Sequence, residues 1–120
     1  MARVFETGTA EEWKSLFVAA ARAQRPDVPL EGPLCVDIDL FFPRPKNRCR
    51  RSDPDGSIRH TAKPDRDNAD KAILDALTQD GWWRDDSQVC DGRVRKLYHP
   101  KDGRPGARIT VRALADQEVA

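Results

Sequence analysis

Leu34, Val36, Ile38 and Leu40 alternate with Cys35, Asp37 and Asp39. A period of two marks a strand with one face in a core and the other in water. It is the tightest constraint in the chain, because a half-buried strand must sit in a sheet covered on one side. Asp37 and Asp39 then belong to the solvated face, or to a strand face beside a metal. The cover is supplied by two helical stripes. Thr9-Ala10-Glu11-Glu12 reads as a capping box, and Trp13, Leu16, Phe17 and Ala20 follow at i, i+3, i+4 and i+7, predicting a helix over 10–24. Ala69, Ala72, Ile73, Ala76 and Leu77 predict a second helix over 68–80, with Asp67 or its neighbour as cap and Gly81 as the stop. An irregular strand is expected over 87–98, a turn at Asp102-Gly103, and an alternating partner strand over 107–113. The fold class expected is α+β: a small mixed or antiparallel sheet from 34–42, 87–98 and 107–113, with two helices packed on it.

A chain of 120 residues and 13.5 kDa is expected to make a single domain over 1–120. No apolar run is long enough for a membrane span, and the start lacks a basic stretch followed by an apolar one, so a cytoplasmic protein is expected. Cys35, Cys49 and Cys90 are odd in number and far from any C-x-x-C spacing, which speaks against a zinc ribbon or a disulfide framework. With only His60 and His99, a metal would have to be held by carboxylates, which favours a hard cation such as Mg²⁺.

The net charge of +1 hides a strong segregation. Residues 1–42 sum to −3, 43–63 to +5, 64–92 to −5 and 93–112 to +6, and the last eight residues contribute −2. Two basic blocks flanking an acidic one suit a protein that grips a nucleic-acid backbone around a metal site. All eight acids of the central block are Asp, although the chain has five Glu elsewhere. Asp is the poorer helix former, and its short side chain holds a carboxylate close to the backbone at caps, turns and metal sites. The basic stretch 43–63 has no apolar periodicity and is long for a connection, so a functional or disordered loop is expected there, with Asp53-Pro54-Asp55-Gly56 as a turn. Residues 115–120 read as a disordered tail.

Pro64 biases Lys63 toward an extended backbone. If the chain stays extended through Asp65-Arg66-Asp67, both carboxylates fall on one side, which is unfavourable unless a proton or cation intervenes. Lys71 projects from the same helix face as Asp67, either as a plain i,i+4 ion pair or as a cation aimed at a substrate phosphate. Asp85-Asp86, beyond Gly81, is the obvious donor of a third carboxylate.

Pro64-Asp65-Arg66-Asp67-Asn68 through Lys71 to Asp75-Ala76-Leu77, and then Trp83-Arg84-Asp85-Asp86-Ser87-Gln88-Val89, resemble a pair of linked motifs. They are P-D-x-D-N-x-x-K-x-x-x-D-A-L and W-x-D-D-x-Q-V, the signature of the RusA family of Holliday junction resolvases. The resemblance implies a Mg²⁺-dependent endonuclease, with Mn²⁺ as a substitute ion, that acts as a homodimer on four-way junctions in DNA recombination and repair. It makes Asp65, Asp67 and Asp86 the metal-site carboxylates and Lys71 the essential lysine, with Asn68 beside them. His60 and Lys63 resemble the H-x-x-K that precedes the motif. One or two ions would polarise the scissile phosphate and activate a water, while Lys71 stabilises the added negative charge or orients that water. Arg44, Lys46, Arg48, Arg50 and Arg51 on one side, and Arg93, Arg95 and Lys96 on the other, would grip the DNA backbone. No nucleotide cofactor or membrane partner is implied. A metal-dependent nuclease on other branched DNA in a phage or prophage setting, and a nuclease-inactive DNA-binding module, are the alternatives. The family opens with a strand and a Pro/Asn-containing loop ahead of the first helix, and the present chain is expected to lack that strand.

Overall fold

A computed structural model describes residues 2–6 and 13–117. The elements run β1 (Ala2–Glu6), α1 (Trp13–Gln24), β2 (Leu34–Phe42), a 3₁₀ turn at Lys46–Arg48, β3 (Ile58–Arg59) and α2 (Arg66–Asp80). A second 3₁₀ turn at Asp86–Gln88, β4 (Val89–Asp91), β5 (Val94–Tyr98) and β6 (Gly106–Ala113) complete the order. The strands form one mixed sheet in the order β1-β6-β2-β5-β3, with β4 also on β2. The α+β expectation therefore holds, and β2 has the predicted bounds.

The expected absence of a first strand is overturned. Ala2–Glu6 pairs antiparallel with β6, from Ala2 opposite Arg112 to Glu6 opposite Arg108. Five residues are too few to show a period, and what forms the strand is the free edge of β6, which offers unpaired backbone groups. The hairpin expected between 87–98 and 107–113 is likewise absent. β2 lies between the two segments, antiparallel to β6 and parallel to β5, so the β2-to-β5 connection is a crossover carrying α2. The 87–98 segment is also split: Gly92 has φ 138, and a side chain there would collide with the Val36 backbone. The close passage over β2 breaks the segment into β4 and β5.

Both helices cover the same sheet face. Phe17 and Ala21 of α1, Ile73 and Leu77 of α2, and Leu34, Val36, Ile38, Ala107, Ile109 and Val111 of the sheet form the core with Trp82 and Trp83. Trp83 donates its indole N–H to Thr78 Oγ1 at 2.7 Å, and Gly81 at φ 88 closes α2 by donating to Leu77 and Thr78. The capping box at 9–12 lies outside the described residues. The other sheet face is not the solvated surface expected. Cys35 is buried, and the Asp39 carboxylate accepts from Arg95 Nε at 2.7 Å.

The stretch 43–63 is ordered, and a buried arginine organises it. Arg44, 7 % exposed, donates to the carbonyls of Arg48 (2.8 Å), Gly56 (2.8 Å), Pro54 (2.6 Å) and His99 (3.4 Å). Lys101 adds bonds to the Arg50 and Asp53 carbonyls, both at 2.7 Å, and the Asp53 carboxylate accepts from the Arg50 N–H, so the turn closes over 50–53, ahead of the 53–56 expected. A fork with several fixed donors suits this task, because it can satisfy carbonyls converging from different parts of one loop.

Candidate active site

The helix carrying the motif starts two residues earlier than its apolar period suggests. Asp65 is extended (φ −67, ψ 153), and its carbonyl takes the Ala69 N–H at 3.0 Å; Arg66 and Asp67 are already helical. The two carboxylates thus lie on either side of a helix start, not along one edge of an extended segment as expected. Their closeness now follows from the turn itself, at the positive end of the helix dipole, where anions are favoured. The Asp65 side chain makes no capping bond and instead receives Lys63 Nζ at 3.0 and 3.2 Å. Ala69, Ile73 and Leu77 point into the core, which leaves Asp67, Asn68 and Lys71 exposed. Asp70, not singled out from the sequence, is half-buried on the same turn. Burial pushes its carboxyl above the ordinary range, against the pull of Arg66. Beside this helix start, Leu40, Phe41, Pro43, Pro64, Ala69 and Ala72 help line an apolar cavity of about 300 Å³.

The segment leading into the site is strapped down. His60 is 8 % exposed, stacked on Phe42 with centroids 3.9 Å apart and edge-on to Tyr98 at 4.8 Å. Burial and the nearby Lys96 charge push its imidazole below the usual range. Lys96 Nζ holds the Ala62 carbonyl at 2.7 Å. His60 and Arg44 were expected to face DNA. The structure corrects both: each is buried, and each spends its polar or ring surface on the chain itself.

The remaining basic residues divide. Lys46, Arg48, Arg50, Arg51 and Arg93 are exposed, and Arg95 is tied to Asp39, whose carboxyl is held below its usual range chiefly by that hydrogen bond. On the sheet face away from the helices, Arg48, Arg59, Arg95, Arg104 and Arg108 line an open groove around Phe41 and Leu97. The Arg108 guanidinium lies 5.8 Å from the Phe41 ring centre. Arg59, Arg104 and Arg108 were missed as site residues. The signal was present, since Arg108 and Arg112 alternate with buried Ile109 and Val111 and so must share the outer face. Phe41 lines both the groove and the apolar cavity, so the basic face and the start of α2 meet at the carboxyl end of β2.

Asp85 and Asp86 lie elsewhere. Asp85 is a structural cap: its Oδ1 accepts the Ser87 N–H at 2.9 Å, while Gln88 Oε1 accepts its own N–H. Bonding to Ser87 holds its carboxyl below the usual range. Gln88 donates to the Leu30 and Gly32 carbonyls, each at 3.0 Å, and Val89 pairs with Leu34, so this turn is pinned to the amino end of β2. Asp86 is exposed there. The structure brings Asp65, Asp67, Asn68 and Lys71 together and leaves Asp86 beyond the other end of α2. Among the described residues no three His, Cys, Asp or Glu side chains converge to hold a metal ion. The donors fit a hard cation in type, but one chain does not close them into a site. Among the described residues no helix is long and apolar enough to cross a membrane.

Comparison with known proteins agrees with the motif. A family model described as Endodeoxyribonuclease RusA matches residues 1–112. The Crossover junction endodeoxyribonuclease RusA of Escherichia coli (strain K12) is 52 % identical over 84 residues, covering 70 % of this chain and 57 % of that protein. The protein of the same name from Escherichia coli O139:H28 is 35 % identical over 91 residues, covering 76 % and 61 %. Uncharacterized protein YqaN of Bacillus subtilis (strain 168) is 31 % identical over 108 residues, covering 86 % and 73 %. The matches thus span about six-tenths of the two crossover junction enzymes. With the linked aspartate motifs placed on α2 and on the turn beyond it, and a family match running from β1 almost to the end of β6, the chain belongs to the RusA endodeoxyribonuclease family.

Proposed function

We propose that this protein is a cytoplasmic, homodimeric endonuclease that hydrolyses phosphodiester bonds in four-way DNA junctions during recombination and repair. The observation that carries the reading is the meeting of an exposed Asp65-Asp67-Lys71 turn with an arginine-lined sheet face at Phe41. The relatives named crossover junction endodeoxyribonucleases support it.

The division of labour follows from the geometry. Arg48, Arg59, Arg104 and Arg108 would neutralise phosphates along one DNA arm, which positions the duplex without reading its sequence. Lys46, Arg50, Arg51 and Arg93 are exposed and extend the basic surface. Lys71, one helical turn from Asp67, would place an ammonium against the phosphate as negative charge builds on it, and Asn68 would donate a hydrogen bond alongside. Lys63, already paired with Asp65, would hold that carboxylate in place. Mg²⁺, or Mn²⁺ in its stead, is the cofactor we propose, since Asp65, Asp67 and Asp86 are hard oxygen donors. Lewis-acid stabilisation of the phosphate is what such an ion supplies when bound. The test is cleavage of a synthetic four-way junction against linear duplex of the same sequence in Mg²⁺. Preferential symmetric cutting of the junction is expected. Equal cutting of both would leave a general nuclease, and binding without cutting in either would leave a DNA-binding module.

A further inference from the structure

We infer that the sheet face turned away from the helices takes an unpaired DNA strand, with one nucleobase stacked on Phe41 and the neighbouring phosphates on the arginines around it. This rests on the nuclease reading proposed above and adds to it the state of the DNA that the face selects.

The strand registers put the parts in place. Phe41 lies opposite Gly106 of β6 on one side and Leu97 of β5 on the other, and Leu97 lies opposite Arg59 of β3. Two residues earlier on β2, Asp39 lies between Arg108 and Arg95. Ile38 and Leu40 belong to the core side, so Asp39 and Phe41 stand on the outer face. Two rows therefore cross that face, Gly106-Phe41-Leu97-Arg59 and, beside it, Arg108-Asp39-Arg95. The first row is apolar at its centre, and Gly106 puts no side chain beside the Phe41 ring. Cations stand on both flanks. On the β6 side the Arg108 guanidinium is 5.8 Å from the ring centre, near the outer limit of a cation–π contact, which keeps charge close without packing it flat on the ring. On the β3 side the Arg59 backbone is two strand spacings away, about 10 Å. Arg48, Arg59, Arg104 and Arg108 are all exposed around this open groove, and Arg95 is pinned by Asp39 at 2.7 Å.

Charge and shape together specify the ligand. A rim of arginines alone fits any phosphate backbone, duplex included. An aromatic floor inside that rim fits a strand whose bases are open, because stacking on a side chain needs a free base face. Along a duplex arm the base faces are covered by their neighbours. At a branch point pairing and stacking stop, and a base is released at the least cost. Phe41 also lines the cavity that reaches Pro64 and Asn68, so a base on its ring brings the strand to the start of α2, where Asp67 and Lys71 stand. The arginine rim then holds an arm, and the ring recognises where the arm ends.

Binding in EDTA tests this without cleavage. Fluorescence anisotropy compares a labelled oligothymidylate with a strand of the same length and charge built from abasic residues. Wild type should hold the first at least about five-fold tighter, the lower end of what one base–aromatic stack contributes. Phe41→Leu keeps an apolar side chain but loses the ring face, and should abolish that preference. Phe41→Trp should restore it, and both variants should bind duplex within about two-fold of wild type. Arg59→Gln/Arg104→Gln should weaken both strands equally and flatten their salt dependence. In a second measurement, 5-iododeoxyuridine is placed either at the branch of a four-way junction or in the middle of an arm, and the wild-type complex is irradiated. The adduct should fall on Phe41 from the branch position only. Equal affinity for the two strands, an unaltered preference in Phe41→Leu, or no adduct on Phe41 would overturn the inference and leave the face a plain cationic grip on an arm. A change of oligomeric state in Phe41→Leu, read by light scattering, would overturn it by giving the face to a second copy. Failure to cut any DNA in Mg²⁺ would remove the nuclease reading alone, since neither measurement depends on cleavage.

Discussion

Arg44→Lys separates a structural arginine from a DNA-contacting one. Both residues are cationic, so a role in gripping phosphate would largely survive the change. The observed role would not, because lysine donates from a single nitrogen, whereas Arg44 reaches the Arg48, Gly56 and Pro54 carbonyls from three separate nitrogens over 2.6–2.8 Å. A hydrogen bond from a charged donor contributes about 1.5–3 kcal/mol. Three such bonds would give roughly 4.5–9 kcal/mol if none were replaced; lysine keeps one or two, and water reaches part of the loosened loop. A loss of about 3 kcal/mol is the working figure, a large share of the 5–15 kcal/mol that holds a typical domain together. Thermal melting should fall by on the order of 10 °C. Amide exchange should accelerate across 43–59, because Lys101 alone cannot hold the loop. Junction affinity should drop with it. A lysine variant with unchanged melting temperature and loop exchange would refute the organising role, and retained affinity in that variant with loss in Arg44→Ala would restore the DNA-contact reading.

Asp67→Asn should abolish junction cleavage while moving the melting temperature by no more than about 2 °C, since the side chain is exposed; junction binding, measured by gel shift, should persist or tighten as one charge facing phosphate is lost. Replacing Arg48, Arg50 and Arg51 together with Ala should flatten the dependence of log K on log salt by up to roughly 0.9 per lost phosphate contact, and an unchanged slope would remove the 43–63 loop from the DNA surface. Arg95→Ala should cost about 1–3 kcal/mol by stranding the Asp39 carboxylate, read by urea melts at pH 7. The Asp39 carboxyl is depressed in the fold, so the stability it contributes is present above the ordinary Asp range and lost as pH falls through the lower folded value. Asp39→Asn should remove that part of the acid dependence. His60 is also depressed, so protonating it opposes folding; stability should begin to fall below the unfolded value of about 6.5 and keep falling toward the folded one, and His60→Phe should flatten that stretch.

Local chemistry alone settled a good deal of this molecule. The alternation of Leu34 to Leu40 defined β2, because one-residue slips would turn every apolar side chain to the wrong face. The stripe from Ala69 to Leu77 and the αL-prone Gly81 defined the body and end of α2, and the D-x-D-N and D-D-x-Q runs carried the family signature on a few consecutive residues. These features depend on neighbours within a turn or a pleat, and so they are written in the order of the residues. What depended on distant partners was not. β1 exists because β6 has a free edge, and β5 lies parallel to β2 because α2 carries the chain across. Arg44 and His60 look like basic side chains awaiting a phosphate, yet the loop carbonyls and the Phe42 and Tyr98 rings, brought in by the fold, claim them. The same cause separates the aspartates. Asp67 and Asp86 are close enough in the chain to read as one motif, but a helix anchored in the core by Ala69, Ile73 and Leu77 stands between them, and a rigid rod about 22 Å long turns nearness in sequence into distance in space.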